Sequence, residues 1–445
     1  MAEQARDVRA ASQRDPRAAA AQLLFQLMGG KSLSLLFETG MGNVAPRDVG
    51  LVKELCFGVA RWQLRLEQIT RLLVRKPLKK KDGDILALIH IGLYQVLHMR
   101  IPAHAALAET VNATRVLGKP WASGLVNGVL RRFLREQETV LAEADKSDHV
   151  RLAHPAWLVD ALHSAWHDRW QGVLEANNLH PPMCLRVNLK KTSRADYLAL
   201  LGEASIGASK IPHTEAGVFL DQPMSTDALP KFRDGHVSVQ DGGAQLAAGL
   251  MDLQAGHRVL DACAAPVGKT GQLMEMAPGP IELAAVDIDD RRLKRVGENL
   301  DRLGFQAGLS AGDASQPIGD WAETLYDRIL LDVPCSATGV IRRNPDIKLL
   351  RRAEDTTALA ATQARILDAI WPLLKPGGLL LYATCSLLPE ENQLQVSRFL
   401  TRCPGARLRP IDAAWGHPVE PGRQTLPGES TMDGFYYACL EKPGQ

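Results

Sequence analysis

The sequence predicts a multidomain protein with an all-α front domain, a small α+β middle module and an α/β domain with a mostly parallel sheet at the back. Three observations predict this architecture. Helical periodicity dominates residues 16–135, short alternating strands follow between 140 and 240, and apolar strands alternate with helices from 241 onward. A length of 445 residues also suits about three domains. We place the domain boundaries at 1–140, 141–236 and 237–445.

The front of the chain carries helix signals and no convincing strand. Asp15 is a typical N-cap residue, Pro16 suits the first helical position, and the apolar run ends at Gly29-Gly30. A second helix begins near Arg47 and continues past Leu66, so its end is not fixed by the pattern. Further helices are predicted at 84–97, 105–117 and 123–136.

The middle and back segments alternate strands with helices. The middle module is predicted to hold a helix at 154–166, a strand at 184–188, a helix at 197–201 and a strand at 217–220. The back domain is predicted to hold apolar strands at 258–260, 283–286, 328–331 and 379–382. Its clearest helices are predicted at 291–303 and 357–374, and Lys375-Pro376-Gly377-Gly378 is expected to end the second of these.

The net charge of +2 hides an uneven distribution along the chain. Residues 1–150 carry 22 basic and 15 acidic side chains, whereas residues 241–445 carry 21 and 26. A basic front segment favours a polyanionic partner, although a solvated helical surface would produce the same pattern.

Cysteine spacing and hydropathy indicate the compartment in which the protein works. Seven cysteines without paired spacing argue against a disulfide framework and for a reducing compartment, and no C-x-x-C or His/Cys cluster suggests a metal site. The first twenty residues carry several charges and no apolar stretch. No apolar run approaches the ~18–20 residues that span a bilayer. We therefore expect a cytoplasmic protein with neither a metal nor a membrane partner.

A loop of small residues, Asp261-Ala262-Cys263-Ala264-Ala265-Pro266-Val267-Gly268-Lys269-Thr270, joins a predicted strand to a predicted helix. Such a loop lets a ligand approach the backbone and the helix N-terminus. Gly268-Lys269-Thr270 is similar to the end of a phosphate-binding loop, but that motif requires a glycine where this chain has Cys263, which argues against an NTPase. An ordinary strand-to-helix turn would have the same sequence pattern. The neighbouring motifs therefore decide whether this loop binds a ligand.

Acidic residues follow the neighbouring strands. Asp287 ends the strand after the loop, 26 residues beyond Asp261, where an acidic side chain can bind a ribose diol. Asp313 and Asp332 fall at the same edge of a doubly wound sheet. Each alone would suit a cap or a turn, but all three in register with the loop favour a nucleoside-containing cofactor.

Two cysteines also follow predicted strands, in Asp332-Val333-Pro334-Cys335-Ser336 and Ala383-Thr384-Cys385-Ser386. A lone cysteine is usually a buried structural thiol. Two at the cofactor edge favour a thiolate nucleophile and covalent catalysis.

These motifs together resemble the RNA cytosine-5 methyltransferases that use S-adenosylmethionine. The helical front, through 54–62 and 126–132, resembles the NusB-type RNA-binding domain fused to the Sun/Fmu branch, which modifies 16S rRNA. Residues 154–158 and 238–244 resemble that branch's middle segments, so the resemblance covers the whole chain. It implies a NusB-like RNA-binding domain, an RNA-binding α+β module and a Rossmann-like methyltransferase domain.

The resemblance also implies residue roles. Cys385 would be the thiolate that adds to C6 of cytosine, Cys335 would resolve the covalent adduct, and Asp332 would hydrogen-bond the base and lie near the methyl donor. The implied cofactor-binding residues are Cys263, Ala264, Ala265, Pro266, Val267, Gly268, Lys269, Asp287, Asp313 and Asp332. We expect a monomer that acts on a single-stranded or extruded cytosine of 16S rRNA.

One position departs from the family pattern. The family has Pro-Gly-Gly-Lys, whereas this chain has Pro266-Val267-Gly268-Lys269. If position 267 needs a positive φ, valine costs about 1–2 kcal/mol, and its branched side chain could crowd the cofactor. Two alternatives stay open. One is the same chemistry on another RNA such as tRNA, because the assignment to 16S rRNA rests on the front domain, and the other is an rRNA-binding protein whose catalysis is impaired by Val267.

A polar stretch after the Pro-Cys motif has two equally weighted interpretations. It is either an RNA-contacting loop at the site mouth, because Arg and Lys bind phosphates, or a solvated helix start. Its polar residues are Arg342, Arg343, Asn344, Asp346 and Lys348.

Overall fold

The computed structural model describes residues 15–265 and 268–444, which fall into two compact units. The first unit holds the described residues of Met1–His163, Trp170–Leu179 and Ile341–Arg351. The second holds those of Ser164–Arg169, His180–Val340 and Arg352–Gln445. No helix among the described residues combines the length and the apolar character needed to cross a bilayer.

The front of the chain is helical, as predicted: residues 15–177 contain no strand. Asp15 caps the first helix, its carboxylate accepting from the backbone N–H of Arg17 at 2.9 Å and of Ala18 at 3.0 Å. Three helices were not predicted: Leu33–Gly40, Asp148–Arg151 and Trp170–Asn177. The helices are Pro16–Met28, Leu33–Gly40, Val49–Leu73, Gly83–His98, Ala103–Val116, Ser123–Ala144, Asp148–Arg151, Ala156–Trp166 and Trp170–Asn177.

The 54–62 motif is explained by close packing between Val49–Leu73 and Gly83–His98. The ring of Tyr94 lies against Gly58, where any Cβ would collide with it. The Tyr94 hydroxyl donates to Glu54 Oε1 at 2.5 Å. The glycine thus allows the two helices to approach each other around a buried tyrosine.

Both interpretations of the polar stretch after the Pro-Cys motif were wrong for three of its residues, because Arg342, Asp346 and Lys348 are buried within the first unit. Asp346 accepts from the backbone N–H of Leu33 at 3.0 Å, at the first residue of helix Leu33–Gly40. Lys348 donates to the carbonyl oxygen of Arg61 at 2.6 Å and to Asn178 Oδ1 at 2.8 Å. These polar side chains therefore hold the helical unit together.

The second unit contains a small antiparallel sheet with strand order β2-β3-β1-β4, which confirms the α+β module. Helix Arg194–Glu203 packs with it and is capped by the Ser193 side chain. Two of its strands, β2 and β4, were not predicted. The strands are β1 Met183–Val187, β2 Ala208–Lys210, β3 Gly217–Leu220 and β4 Val237–Val239.

The large sheet of the second unit has the order β11-β12-β13-β9-β8-β5-β6-β7, and β10 pairs with β13. The five strands from β9 to β7 are parallel, which confirms the mostly parallel sheet, and β13 adds an antiparallel edge. The strands are β5 Arg258–Asp261, β6 Glu282–Asp287, β7 Gly308–Ala311, β8 Tyr326–Asp332, β9 Leu374–Thr384, β10 Arg407–Arg409, β11 His417–Pro418, β12 Arg423–Gln424 and β13 Tyr436–Glu441.

Helices connect the parallel strands, and one predicted boundary was wrong. The residues Lys375-Pro376-Gly377-Gly378 belong to β9, because the preceding helix already ends at Ile370. Gly377 donates its N–H to the carbonyl of Lys442 at 2.7 Å, and Lys442 donates back to Gly378 at 3.1 Å. The main helices are Gly242–Leu250, Gly268–Met276, Asp290–Leu303, Ala353–Ile370 and Gln393–Arg402.

Candidate active site

A cavity of about 370 Å³ opens at the carboxyl edge of the parallel strands, which is where ligands bind in doubly wound sheets. Its volume is in the range of small-molecule sites. Residues that follow different strands of the sheet line it, and they include Cys263, Asp287, Asp313, Asp332, Cys335 and Cys385. The fold thus brings together residues that the sequence pattern had indicated from 263 to 385.

The loop after β5 is held by backbone hydrogen bonds and by Asp261. Ala262 donates to the carbonyl of Leu330 at 3.0 Å, and Ala264 donates to that of Val286 at 2.9 Å. Thr270 Oγ1 donates to Asp261 Oδ2 at 2.7 Å. Burial raises the pKa of Asp261 to about 7 despite this hydrogen bond, and the charge of Asp332 adds to the rise. Pro266 and Val267 lie outside the described residues.

Asp287 is a buried carboxylate whose two oxygens each accept a backbone N–H, from Ala265 at 3.0 Å and from Asp289 at 3.0 Å. A carboxylate has about four acceptor sites, so two backbone bonds leave capacity for the hydroxyls of a ligand. Asp313 accepts from the backbone N–H of Ser315 at 2.8 Å and borders the same cavity. These contacts fix both carboxylates at the cavity wall.

Asp332 and Lys269 form a close ion pair, with Lys269 Nζ 2.5 Å from Asp332 Oδ2. Lys269 Nζ also lies 5.2 Å from the ring centroid of Phe435. Burial lowers the pKa of Lys269, but the charge of Asp332 and its hydrogen bond outweigh burial and raise the pKa overall, and the charge of Cys385 as a thiolate adds to this rise. Lys269, predicted from the sequence as a cofactor residue, thus presents its ammonium to Asp332 and lies close enough to interact with Cys385.

The two motif cysteines meet: Cys335 Sγ and Cys385 Sγ lie 3.5 Å apart, within the distance of an S–H···S contact. Cys335 is buried and Cys385 is half-buried. The hydrogen bond to Cys385, burial and the charge of Glu391 hold the pKa of Cys335 well above its ordinary value. Cys335 therefore keeps its proton at neutral pH and can donate it as a hydrogen bond to the sulfur of Cys385.

Cys263 differs from this pair. Burial and the charges of Asp261, Asp332 and Asp287 hold the pKa of its thiol well above the ordinary value. A thiol surrounded by carboxylates is a poor nucleophile because only the thiolate attacks. Cys263 is thus suited to line the cavity and unsuited to covalent catalysis.

Close backbone contact supports the two cysteine loops. Gly339 donates its N–H to the carbonyl of Cys385 at 2.8 Å, and Gly434 donates to the carbonyl of Gly339 at 2.8 Å. A Cβ at Gly339 would collide with the Gly434 backbone. The glycine is required because the backbone after the Pro-Cys motif passes directly against the backbone after β12.

Several residues at this site were not predicted from the sequence. Ile288 is 72% exposed and borders the cavity, and its position directly after Asp287 in the sequence was a usable signal. Arg292 donates to the carbonyl of Ala265 at 2.5 Å. Glu391 and Phe435 gave no local signal, because only the tertiary fold brings them to the two motifs.

The residues present fit a nucleoside-containing cofactor. Asp261 Oδ1 is buried without a hydrogen-bond partner among the described residues, at the start of the loop that borders the cavity. Carboxylates, backbone amides and apolar side chains around one cavity suit a polar nucleoside with an apolar base face. Among the described residues, no group of three or more His, Cys, Asp or Glu side chains could hold a metal ion.

Comparisons with known proteins match nearly the full length of the chain. The family described as 16S rRNA methyltransferase RsmB/F matches residues 248–441, an RsmF/B-like ferredoxin-like domain matches 154–227, and the NusB family matches 14–135. The ribosomal RNA small subunit methyltransferase B of Pseudomonas putida is 50% identical over 429 residues, which cover 96% of this chain and 98% of the relative. That of Vibrio cholerae is 50% identical over 427 residues, 96% of this chain and 97% of the relative.

Solved structures share the fold. The crystal structure of PH0851 has a TM-score of 0.78 at 22% identity and covers 96% of this chain and 99% of its own. A methyltransferase homologue from Pyrococcus horikoshii has a TM-score of 0.58 at 29% identity and covers 66% of this chain and 97% of its own.

Proposed function

The chain belongs to the RsmB/F family of 16S rRNA methyltransferases, and from that premise we propose that it methylates C5 of a cytosine in 16S rRNA through a covalent bond between Cys385 and C6. The coarser activity, methylation of ribosomal RNA with S-adenosylmethionine, follows from the family. To this activity we add three points: the methylated base is cytosine, the methyl group goes to C5, and the reaction passes through a covalent bond to Cys385.

One observation carries the proposal: two thiols lie 3.5 Å apart beside the cavity at the carboxyl edge. C5 of cytosine is a poor nucleophile, and addition of a thiolate to C6 makes it enamine-like. A site that forms and then breaks such a bond benefits from a second proton-carrying group next to the attacking sulfur. The cysteine pair supplies both groups.

The surroundings favour Cys385 as the attacking sulfur. It is the more exposed of the two thiols, and the ammonium of Lys269 lies near enough to interact with its charge. Cys335 instead lies beside the Glu391 carboxylate and keeps its proton. A nearby cation stabilises a thiolate, and a nearby anion destabilises one.

The bond between Cys385 and C6 forms and is broken again within one turnover. The thiolate bonds to C6, the C5–C6 electron pair becomes available at C5, and Asp332 hydrogen-bonds the base and favours protonation at N3. After methylation the C5 proton passes to solvent water, its electron pair re-forms the C5–C6 double bond, and the sulfur of Cys385 leaves as a thiolate. N3 then returns its proton to solvent. We assign Cys335 to this release step, in which its thiol, 3.5 Å from that sulfur, donates a hydrogen bond to the departing thiolate.

S-adenosylmethionine, when bound, supplies the methyl group on a sulfonium sulfur. In this chain the loop Cys263–Lys269 would wrap it, Asp287 would accept from the ribose hydroxyls, and Asp313 would accept from the adenine amine. Asp287 and Asp313 are already fixed by backbone N–H groups, so they need little rearrangement on binding.

We assign the first contact with RNA to the helical unit. A groove of about 960 Å³ is lined by Arg75, Lys76, Arg132 and Arg135, and its acidic residue, Glu136, already binds Arg132 and Arg135. Excess positive charge along a groove suits a phosphate backbone. We further propose that the protein acts as a monomer on a single-stranded or extruded cytosine.

The proposal is tested by mapping 5-methylcytosine in the total RNA of a strain that lacks the gene. We expect one 16S rRNA position to lose its methyl group, and we expect the wild-type gene but not the Cys385→Ala gene to restore it. An unchanged 16S rRNA together with a loss in tRNA would reassign the substrate. No change in any RNA would contradict the proposed activity.

A further inference from the structure

Glu391 has entered the chemistry so far only through the effect of its charge on Cys335, yet its carboxylate is fully buried and binds both cysteine loops. Four groups donate to it. The N–H of Ser336 and Nε2 of Gln363 donate to Oε1 at 2.8 and 3.0 Å, and the hydroxyls of Ser336 and Ser386 donate to Oε2, each at 2.5 Å.

The chemistry of these partners explains why the position holds a carboxylate. An ionised carboxylate only accepts hydrogen bonds, and all four groups donate. Because the four donors are neutral, the charge is compensated by dipoles alone, an arrangement that costs desolvation free energy. An apolar residue of similar size would avoid that cost but would remove the acceptor shared by the Ser336 N–H and the two serine hydroxyls.

The two serines are the residues that directly follow the two cysteines. Ser336 follows Cys335 after β8, and Ser386 follows Cys385 after β9, and their hydroxyl oxygens lie 3.1 Å apart. These loops are 50 residues apart in sequence, and the Glu391 side chain binds both of them. Fixing both serines fixes the backbone from which each thiol projects.

Resting on the proposed function, we infer that Glu391 is a positioning residue for methyl transfer, which binds the serine after each cysteine and so holds the two thiols at their reactive separation. Its charge has a second effect, because it lies near Cys335 and helps to raise the pKa of that thiol. Glu391 therefore fixes the positions of the two thiols, and its charge helps to keep Cys335 protonated while Cys385 remains the attacking sulfur.

The test compares Glu391→Ala and Glu391→Gln with Gln395→Ala. Gln395 is a matched control: it is buried in the helix that follows, but it donates to the carbonyl of Ala360 at 2.7 Å, away from the thiols. Single-turnover methyl transfer at saturating RNA and S-adenosylmethionine is measured beside cofactor affinity and thermal unfolding.

We expect Glu391→Ala to slow methyl transfer about 100-fold, as a displacement of about 1 Å at a reacting group does. We expect Glu391→Gln to lose less, because its carbonyl still accepts from Ser336, and Gln395→Ala to lose nothing. Cofactor affinity should be unchanged throughout. Wild-type rates in folded Glu391→Gln and Glu391→Ala would overturn the inference, as would equal losses in Gln395→Ala.

A second readout separates this inference from the proposed function. The rates at which iodoacetamide alkylates Cys335 and Cys385 are measured by peptide mass spectrometry and need no RNA. We expect Glu391→Gln to raise the rate at Cys335 relative to Cys385, because the neighbouring anion is gone. An unchanged ratio in both Glu391→Gln and Glu391→Ala would overturn the inference, because neither the geometry nor the charge at the thiols would then depend on Glu391. An inactive wild type with a changed ratio would overturn only the proposed function.

Discussion

The helical unit and the carboxyl edge of the large sheet both contain charged side chains that are buried or partly buried, and the two regions use them differently. In the helical unit, Lys348 donates to a backbone carbonyl and to an amide, and Asp346 accepts from a helix N-terminus. At the sheet edge, Lys269 and Asp332 bind each other beside a cavity. A buried charged group that is bound by the protein's own backbone stabilises the fold, whereas a partly exposed ion pair at a cavity is placed for a ligand.

Among the substitutions that keep both thiols, the largest effect is expected from Asp332→Asn. The matched control is Asp327→Asn on the same strand: each aspartate binds a lysine, and their side chains are 26% and 25% exposed. Asp332→Asn should slow methyl transfer by about 10²–10⁴-fold, the range for loss of a group that handles a proton. Single-turnover rates check this, and an equal loss in Asp327→Asn would break the comparison.

A smaller effect is expected at the cofactor loop. If Val267 strains or crowds the loop, Val267→Gly should tighten S-adenosylmethionine binding about tenfold for each ~1.4 kcal/mol relieved. Titration calorimetry on both proteins measures this. Equal or weaker binding by the glycine variant would show that the loop already accommodates valine, and the impaired-enzyme alternative would then lose its basis.

Much of this site was predictable because its residues follow strands that are strongly apolar. Strands β5, β6, β8 and β9 were found from the sequence, and parallel strands place their carboxyl ends together. The convergence of Asp287, Asp332 and the two motif cysteines was therefore foreseeable.

The parts that were missed depend on partners far away in sequence. Strand β13 pairs antiparallel with β9 across about 55 residues, and Glu391 is recognisable only once both serines converge on it. Lys348 looked like a surface residue because its partners, Arg61 and Asn178, lie 287 and 170 residues away. Local periodicity carries no information about such long-range pairs.

Exposed charges of the helical unit should affect RNA binding by only a few-fold. Replacing Arg75 and Lys76 by alanine in the full chain should weaken rRNA binding and reduce the slope of log affinity against log salt by about 1 for each phosphate that is no longer neutralised. Lys146→Ala is the control, because that exposed lysine binds Glu143 and lies outside the groove. Identical salt slopes in all three proteins would remove this groove from the RNA-binding surface.

The smallest effect concerns stability and Lys348. Burial lowers the pKa of Lys348 well below its ordinary value of 10.5, so between the folded and the ordinary pKa the unfolded chain binds more protons. Stability should therefore rise with pH across that interval, by at most about 1.4 kcal/mol per pH unit, and the dependence should vanish above it.

Lys348→Met should remove this dependence from thermal unfolding curves recorded across pH. Lys31→Met, at an exposed lysine bound to Gln26, should leave it intact. A wild-type pH dependence that persists unchanged in Lys348→Met would show that the buried lysine does not titrate as its surroundings indicate.

The central claim, that Cys385 attacks C6 and Cys335 serves release, is tested most directly on a denaturing gel. Each alanine variant is incubated with unmethylated rRNA and S-adenosylmethionine, and covalent protein–RNA species are detected as slow, nuclease-sensitive bands. We predict a band with Cys335→Ala, which attacks and methylates but does not release, and none with Cys385→Ala, which lacks the attacking thiolate. A band with Cys385→Ala and none with Cys335→Ala would contradict the assignment.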